Sequence, residues 1–497
     1  MKKLSVFIIL ALLIINISGS TTVSQNIEEV KENYIIIEDF DPLVDLNITI
    51  DILGIRAFDK IDQFSDPDFF LKVFINDECF KSPTWRDTSC VYNCWTVTTD
   101  IPDNIENVAI KIELWDSNLL KNKMCDISSE DNVDDNGYSI DIFYDIKTGI
   151  WSGDDYNIGD SSGYGRGCGS GDGSIYKDEN DCEIFFNIYQ NDYDSDGLPW
   201  WIETNVYGTD PTVNNLGQDS DQDGIPIEWE HRWGFNPLIH ENHQNIDPDG
   251  DSLNNTEEFI TSEFGSDPYR KDIFLEIDYM IYENNSAQIE ILKKVKEIIK
   301  NPYHRRNIIF HLDIGEVDGG DIIPSDNDSS FEDLLNLYQE YFTHNDEQSW
   351  KRGIFHYGLI VDYCRPGGFG FSGDVWPNWG YGRGTNCFVI SKDLIQRKAE
   401  LLRKSDEYII TYLFMHEMGH NLGIRFGNPL GCDLPGSGNP LRLSYWLFRN
   451  YKSVMNYRYT YFILDYSDGS HGKRDFDDWE NIDLTWFEYI NSDPVNL

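Results

Sequence analysis

The run His416-Glu417-Met418-Gly419-His420 sets two imidazoles four residues apart, with a carboxylate directly after the first. On a helix that spacing brings both rings to one face, where together they can grip a single zinc ion. Glu417 then stands beside the metal, where a carboxylate can take a proton from an attacking water and later hand it to a leaving amine. Such a trio would serve hydrolysis of an amide bond. Two imidazoles fill only part of a zinc site, so a further protein ligand has to come from elsewhere in the chain.

A second chemistry recurs three times between 192 and 268. Asp192, Asp194 and Asp196 are followed by Glu203; Asp219, Asp221 and Asp223 by Glu230; Asp247, Asp249 and Asp251 by Glu258. Each set places oxygens at loop positions 1, 3 and 5 and a carboxylate at 12, the spacing by which an EF-hand-like loop wraps Ca2+. Gly197 and Gly224 occupy position 6, where the chain turns sharply, whereas the third loop has Ser252 there. Each unit closes on a similar turn, Gly208-Thr209-Asp210-Pro211, Gly234-Phe235-Asn236-Pro237 and Gly265-Ser266-Asp267-Pro268. An internal repeat with shared ligand spacing and a shared terminator predicts a calcium-stiffened segment.

The elements that must carry these groups differ along the chain. From about 30 to 190 the pattern is β. Leu46–Ile52, Phe69–Ile75, Val108–Leu114 and Ile184–Ile188 alternate or run apolar between Asp, Asn and Gly turns, which predicts an all-β sandwich. From 271 onward strands and helices alternate. Strands are expected at 271–278, 307–314, 354–363 and 386–391, and helices at 287–300, 331–342 and 406–422. The last carries the histidine pair, with Ser405 at its N-cap. The other histidines read as ordinary: His231, His240 and His243 lie in or beside the repeats, and His304, His311, His344 and His356 have no ligand spacing.

The bulk numbers fit a multidomain chain. Its 497 residues exceed a single core, and 39 Lys plus Arg against 87 Asp plus Glu give a net charge of -48. That balance excludes nucleic acid as a partner. The acids bunch into Asp-rich runs rather than coating the whole chain, as expected of cation sites. Met1-Lys2-Lys3, the apolar Leu4–Ile15 and Ser18-Gly19-Ser20 have the three parts of a secretory signal peptide, so residues 1–20 are expected to be removed and the protein secreted. Nine cysteines suit that compartment. Six precede residue 190 and three follow 360, with no pairing legible from their spacing.

Three resemblances extend this reading. Asn421-Leu422-Gly423-Ile424-Arg425-Phe426-Gly427, with Ser453-Val454-Met455-Asn456-Tyr457 and Leu464-Asp465-Tyr466-Ser467, resembles a group of secreted bacterial and archaeal metzincin-like zinc peptidases. The likeness implies an α/β domain over 271–497 with a mixed sheet and a zinc-binding helix. It also implies a Met-turn at Met455 beneath the metal, and a catalytic role at the metal or the oxyanion for Tyr457. One residue departs from it. The group's third zinc ligand is a histidine where this chain has Phe426. Asp433 is the first replacement, since the chain between Gly423 and the Met-turn must pass the metal, and His471, the one histidine after the helix, is the second. Gly368–Gly373 sits where metzincins place the edge strand that pairs with an extended substrate. The loops over 191–270 resemble thrombospondin type 3-like repeats.

The stretches Asp59–Ile75 and Leu114–Asn118 resemble calcium-loop segments of a C2 domain, which would span 21–190, hold calcium through Asp59, Asp66 and Asp116, and touch a cell surface or membrane. The expectation is a secreted zinc-dependent endopeptidase acting on protein or peptide substrates, its accessory modules held by Ca2+. The alternative is a catalytically inactive, calcium-dependent surface adhesion or ligand-binding protein. Oligomeric state is not legible.

Overall fold

The computed structural model describes residues 43–129, 138–155, 163–172, 180–280, 285–317, 319–325, 329–346, 348–365, 367–373 and 385–486. The expected signal peptide, 1–20, lies outside them, as do parts of the Gly-rich stretches near 160 and 375. The chain divides into two compact units, one of 1–246 with 267–269, the other of 247–266 with 270–497. Among the described residues no helix is long and apolar enough to cross a membrane, and no disulfide joins the cysteines.

The first unit is a β-sandwich. One sheet runs β4 (Cys90–Asp100), β1 (Asn47–Ala57), β10 (Cys182–Gln190), β9 (Gly165–Cys168). The other runs β3 (Glu78–Lys81), β2 (Phe69–Ile75), β5 (Asn107–Asp116), β7 (Ile140–Asp145), β8 (Trp151–Gly153), with β6 (Lys123–Cys125) also on β5. Alternation decides which side chains face inward. Ile48, Ile50 and Ile52 of β1 meet Leu71 and Val73 of β2 and Ile110 and Ile112 of β5 in one core, while the residues between them face out. Glu183 of β10 is buried between Arg56, with Nε at 3.1 Å, and Arg166, with Nη2 at 2.8 Å. Both arginines compensate its buried charge, and loss of either would leave that charge less well paired in the core.

In the second unit the sheet order is β12 (Ile308–Asp313), β11 (Lys271–Met280), β14 (Phe355–Val361), β16 (Cys387–Ser391), β15 (Gly368–Phe371), with β13 (Ile322–Ile323) also on β11. All pairings are parallel except β15 with β16, so the sheet is mixed and β15 ends it. Strands β14 and β16 are buried along their whole length, as strands covered on both faces are. Three of the helices packed with this sheet are α3 (Asn285–His304), α4 (Phe331–Leu337) and α6 (Asp406–Asn421). Twelve of the residues of α6 are buried. It runs through the core rather than along its surface, which is why its sequence shows almost no amphipathic stripe.

Two features depart from expectation. A helix not foreseen, α5 (Lys392–Leu402), follows β16 directly, begun by Ser391, whose side chain accepts from the Leu394 amide. The segment 191–270, expected as one connector, is shared between the units. The first two loops, with α1 (Ile227–Trp233), belong to the first unit. The third, with α2 (Asn255–Thr261), belongs to the second, because the amide of Asp272 on β11 donates to Asp251 at 2.6 Å.

Candidate metal centre

His416 and His420 occupy the last two turns of α6, one turn apart, with their rings 5.2 Å between centroids. Past Asn421 the chain turns through Gly423, at φ +91° in the left-handed region that favours glycine. It returns as β17 (Leu430–Asp433), whose last residue lies beside both imidazoles. Asp433 Oδ1 is 3.0 Å from His416 Nε2, and Oδ2 is 2.8 Å from His420 Nε2. The Asp433 amide donates to the Met455 carbonyl at 3.1 Å, which ties the strand end to the 453–457 turn. Asp433 itself sits at φ +50°, a strained backbone setting of the kind retained at functional sites.

The other ring nitrogens are engaged. His416 Nδ1 lies 2.9 Å from the Val454 carbonyl, and His420 Nδ1 lies 2.6 Å from the Ile424 carbonyl. A carbonyl accepts only, so each Nδ1 carries a proton and each ring turns its Nε2 toward Asp433. Lone pairs facing a carboxylate at 2.8–3.0 Å require a cation between them, either protons or a metal. Burial by itself lowers His416, but the Asp433 charge and hydrogen bond overcome it and raise the ring to about 9. His420 is raised in the same way against the same burial. The donor set, two imidazoles and one carboxylate gathered at one point, suits zinc.

Glu417 is buried, and its Oε2 has no hydrogen-bond partner. Burial raises its carboxyl, opposed by the two histidines. Its Oε1 lies 2.7 Å from the point where a side chain on Gly368 of β15 would begin, so Glu417 faces the edge strand. The Tyr457 ring stacks on His416 at 5.9 Å between centroids and is half exposed. Burial, then the Asp433 carboxylate it bonds, push its phenol well above the usual range. Met455 is wholly buried, with its sulfur against Gly419. Phe426, which brings no donor atom, is half exposed on the 425–428 turn. His471 lies elsewhere, its Nδ1 2.9 Å from Asp475 and 3.6 Å from Asp468.

In each carboxylate loop the position-1 aspartate accepts from the position-6 amide and the position-5 aspartate from the position-7 amide. The position-1 distances are 3.2 Å for Asp192, 2.9 Å for Asp219 and 3.1 Å for Asp247. The position-5 distances are 2.9 Å for Asp196, 3.1 Å for Asp223 and 2.7 Å for Asp251. Ser252 adopts the left-handed turn, φ +87°, that Gly197 and Gly224 adopt in the other two. Asp194, Asp221 and Asp249 lie between these anchors, and Glu203, Glu230 and Glu258 are buried beneath them. Burial raises Glu203 and Glu230 to about 7, and burial with the nearby Asp272 and Asp251 charges raises Glu258 well above the usual carboxylate range.

In the sandwich, Asp116 is buried and accepts from the Asp68 amide at 2.8 Å, with Asp62 beside it. Asp59 accepts from the Asp181 amide at 3.0 Å, and Asp66 is exposed. Asp62 and Asp181 were not foreseen, because only the fold carries 59–68, 116 and 181 to the same end of the sandwich.

No protein-family description matches the chain, and no curated protein matches it. Solved structures similar to part of it include a C2 domain, at 9% identity over 29% of this chain and 97% of that one, TM-score 0.18. A C2 domain of a plant extended synaptotagmin 1 is similar at 8% identity over 29% of this chain and 94% of that one, TM-score 0.19. A calcium-bound pair of C2 domains from extended synaptotagmin 2 matches at 9% identity over 30% of this chain and 46% of that one, TM-score 0.19.

Proposed function

We propose that the chain is a secreted zinc-dependent endopeptidase of metzincin-like design. The observation that carries this reading is the meeting of His416 Nε2, His420 Nε2 and the Asp433 carboxylate beside a buried Glu417 with an unpartnered oxygen. His416, His420 and Asp433 would hold the zinc, and Asp433 takes the place left by Phe426. Bound there, zinc supplies a Lewis acid that polarises the scissile carbonyl and brings the pKa of water toward neutrality. Glu417 accepts a proton from the attacking water and delivers it to the leaving nitrogen, a role suited to a carboxyl raised by burial. Tyr457, half exposed beside Asp433, donates its phenol proton in a hydrogen bond to the developing oxyanion. An extended peptide adds to β15 as a further strand, which sets its scissile bond beside Glu417.

The carboxylate loops act as cation sites, calcium being the ion that all-oxygen loops take, and they stiffen the accessory modules. The sandwich is read as C2-like, with Asp59, Asp66 and Asp116 toward calcium and a surface that touches membrane. Phe64, Leu119 and Leu120 support that contact, being almost fully exposed on the turns that flank Asp62 and Asp116. The experiment is Glu417→Ala: casein or gelatin hydrolysis should vanish while zinc stays bound. Hydrolysis unchanged in the variant would sink the mechanism. Wild-type protein that binds neither zinc nor substrate would favour the adhesion-type alternative.

A further inference from the structure

Each carboxylate loop is reached by a residue from outside its own twelve positions, at nearly the same distance along the chain. Asn215 follows Asp196 by 19 residues, and its Nδ2 lies 3.4 Å from both Asp196 Oδ2 and Glu203 Oε1. Asp272 follows Asp251 by 21 residues (272 minus 251), and its amide donates to Asp251 Oδ2 at 2.6 Å. In the second loop the residue is His243, 20 after Asp223 (243 minus 223), with Nε2 3.0 Å from Asp223 Oδ2 and 3.7 Å from Glu230 Oε1. The first visitor arrives through a side-chain amide and the third through a backbone amide, so among the described residues the second loop is the one whose carboxylates meet an imidazole nitrogen directly.

The imidazole is built into place. His243 is 2% exposed, its ring edge-on to Trp229 and Phe235 at 6.4 and 5.5 Å between centroids. Glu230 is wholly buried, with both carboxylate oxygens lacking a hydrogen bond, and it faces the same point. Asp223 Oδ2, Glu230 and His243 Nε2 thus gather as one nitrogen and two carboxylates inside a tight radius. Calcium is a hard ion that takes oxygen, whereas an imidazole with two carboxylates suits zinc, cobalt or manganese.

We propose that the second loop, completed by His243, binds a divalent metal ion of the zinc, cobalt and manganese class, while the all-oxygen first and third loops bind calcium. The proposal rests on reading the three loops as cation sites. It places a second nitrogen-containing metal site in the chain, apart from the pair on α6 and independent of whether that pair is catalytic.

The test is equilibrium dialysis of the full chain against cobalt(II) with calcium in excess, followed by elemental analysis and visible absorption of the bound cobalt. His243→Asn, which installs the amide of the first loop, and His243→Gln should each lose one equivalent of cobalt and the absorption bands belonging to it. His420→Ala should lose a different equivalent and leave those bands intact. Cobalt binding unchanged in both folded His243 variants, with calcium also unchanged, would overturn the proposal and make the second loop a calcium site. A wild-type chain whose loops bind neither calcium nor cobalt would overturn it by removing the loop reading itself, an outcome set apart by the missing calcium.

Discussion

Met455 Sδ presses against the point where a side chain on Gly419 would begin, so the turn beneath α6 meets the helix where the helix has no side chain. An added methyl would also meet Met455 Cε at 2.9 Å and Tyr466 Cε1 at 3.1 Å. Gly419→Ala gains about 1 kcal/mol of helix propensity and loses about 1–3 kcal/mol to overpacking. A net destabilisation is expected in urea unfolding. In a Met455→Ala background the penalty should disappear, which a double-mutant cycle reads directly.

Asp433 is the only third donor that the structure brings to His416 and His420 among the described residues grouped there. Asp433→Ala should therefore release zinc from the purified chain and abolish hydrolysis, with the circular dichroism spectrum retained. His471→Ala should alter neither, because its ring is held by Asp475 and Asp468. Zinc retained by Asp433→Ala and lost by His471→Ala would reverse this assignment.

Ser252 occupies a left-handed position at φ +87°, where a side chain costs about 1–2 kcal/mol. Ser252→Gly relieves that strain and should raise the melting temperature by a few degrees, ~1 kcal/mol being worth several degrees in a domain of modest size. Gly224→Ser, at φ +103° in the second loop, should act in the opposite direction. Differential scanning calorimetry in excess calcium checks both.

Asp478 is buried, accepts from the Tyr451 hydroxyl at 2.7 Å and the Ser467 amide at 3.1 Å, and is raised by burial to about 7. Its folded pKa thus lies above its unfolded one. The stability it contributes is fully present below pH ~4 and is lost as pH rises through about 7. Asp478→Asn has no such titration. Wild type should lose stability relative to Asp478→Asn across that interval, by up to about 1.4 kcal/mol per pH unit. Urea unfolding of both proteins over a pH series measures it, and a gain by wild type with rising pH would contradict it.

Glu203 and Glu258 are buried, and in the proposed reading a cation offsets their charge. Chelation should lower the melting temperature by mass action and increase proteolytic nicking between 192 and 268. A melting temperature and a digestion pattern indifferent to chelator would count against cation binding in the loops.

Much of the second unit was legible in advance because each signal is local. Apolar-rich runs gave β11, β14 and β16, and the His416–His420 spacing placed two imidazoles on one face of α6. The carboxylate loops were legible for the same reason, since positions 1 to 12 lie within one turn of chain. Helix α5 was missed because its polar outer face, Lys392 to Leu402, hides a single buried isoleucine, Ile395.

The sequence by itself determined which residue types could hold a cation and where most strands and helices of the second unit lie, since ligand spacing and periodicity are properties of neighbours along the chain. Only the tertiary structure decided which distant residue meets each of these groups. Asp433 reaches the α6 histidines because Gly423 reverses the chain and the 453–457 turn holds β17 beneath them. His243 reaches Asp223 because Trp229 and Phe235 fix its ring. Such meetings depend on packing between segments remote in sequence, and no local pattern records them.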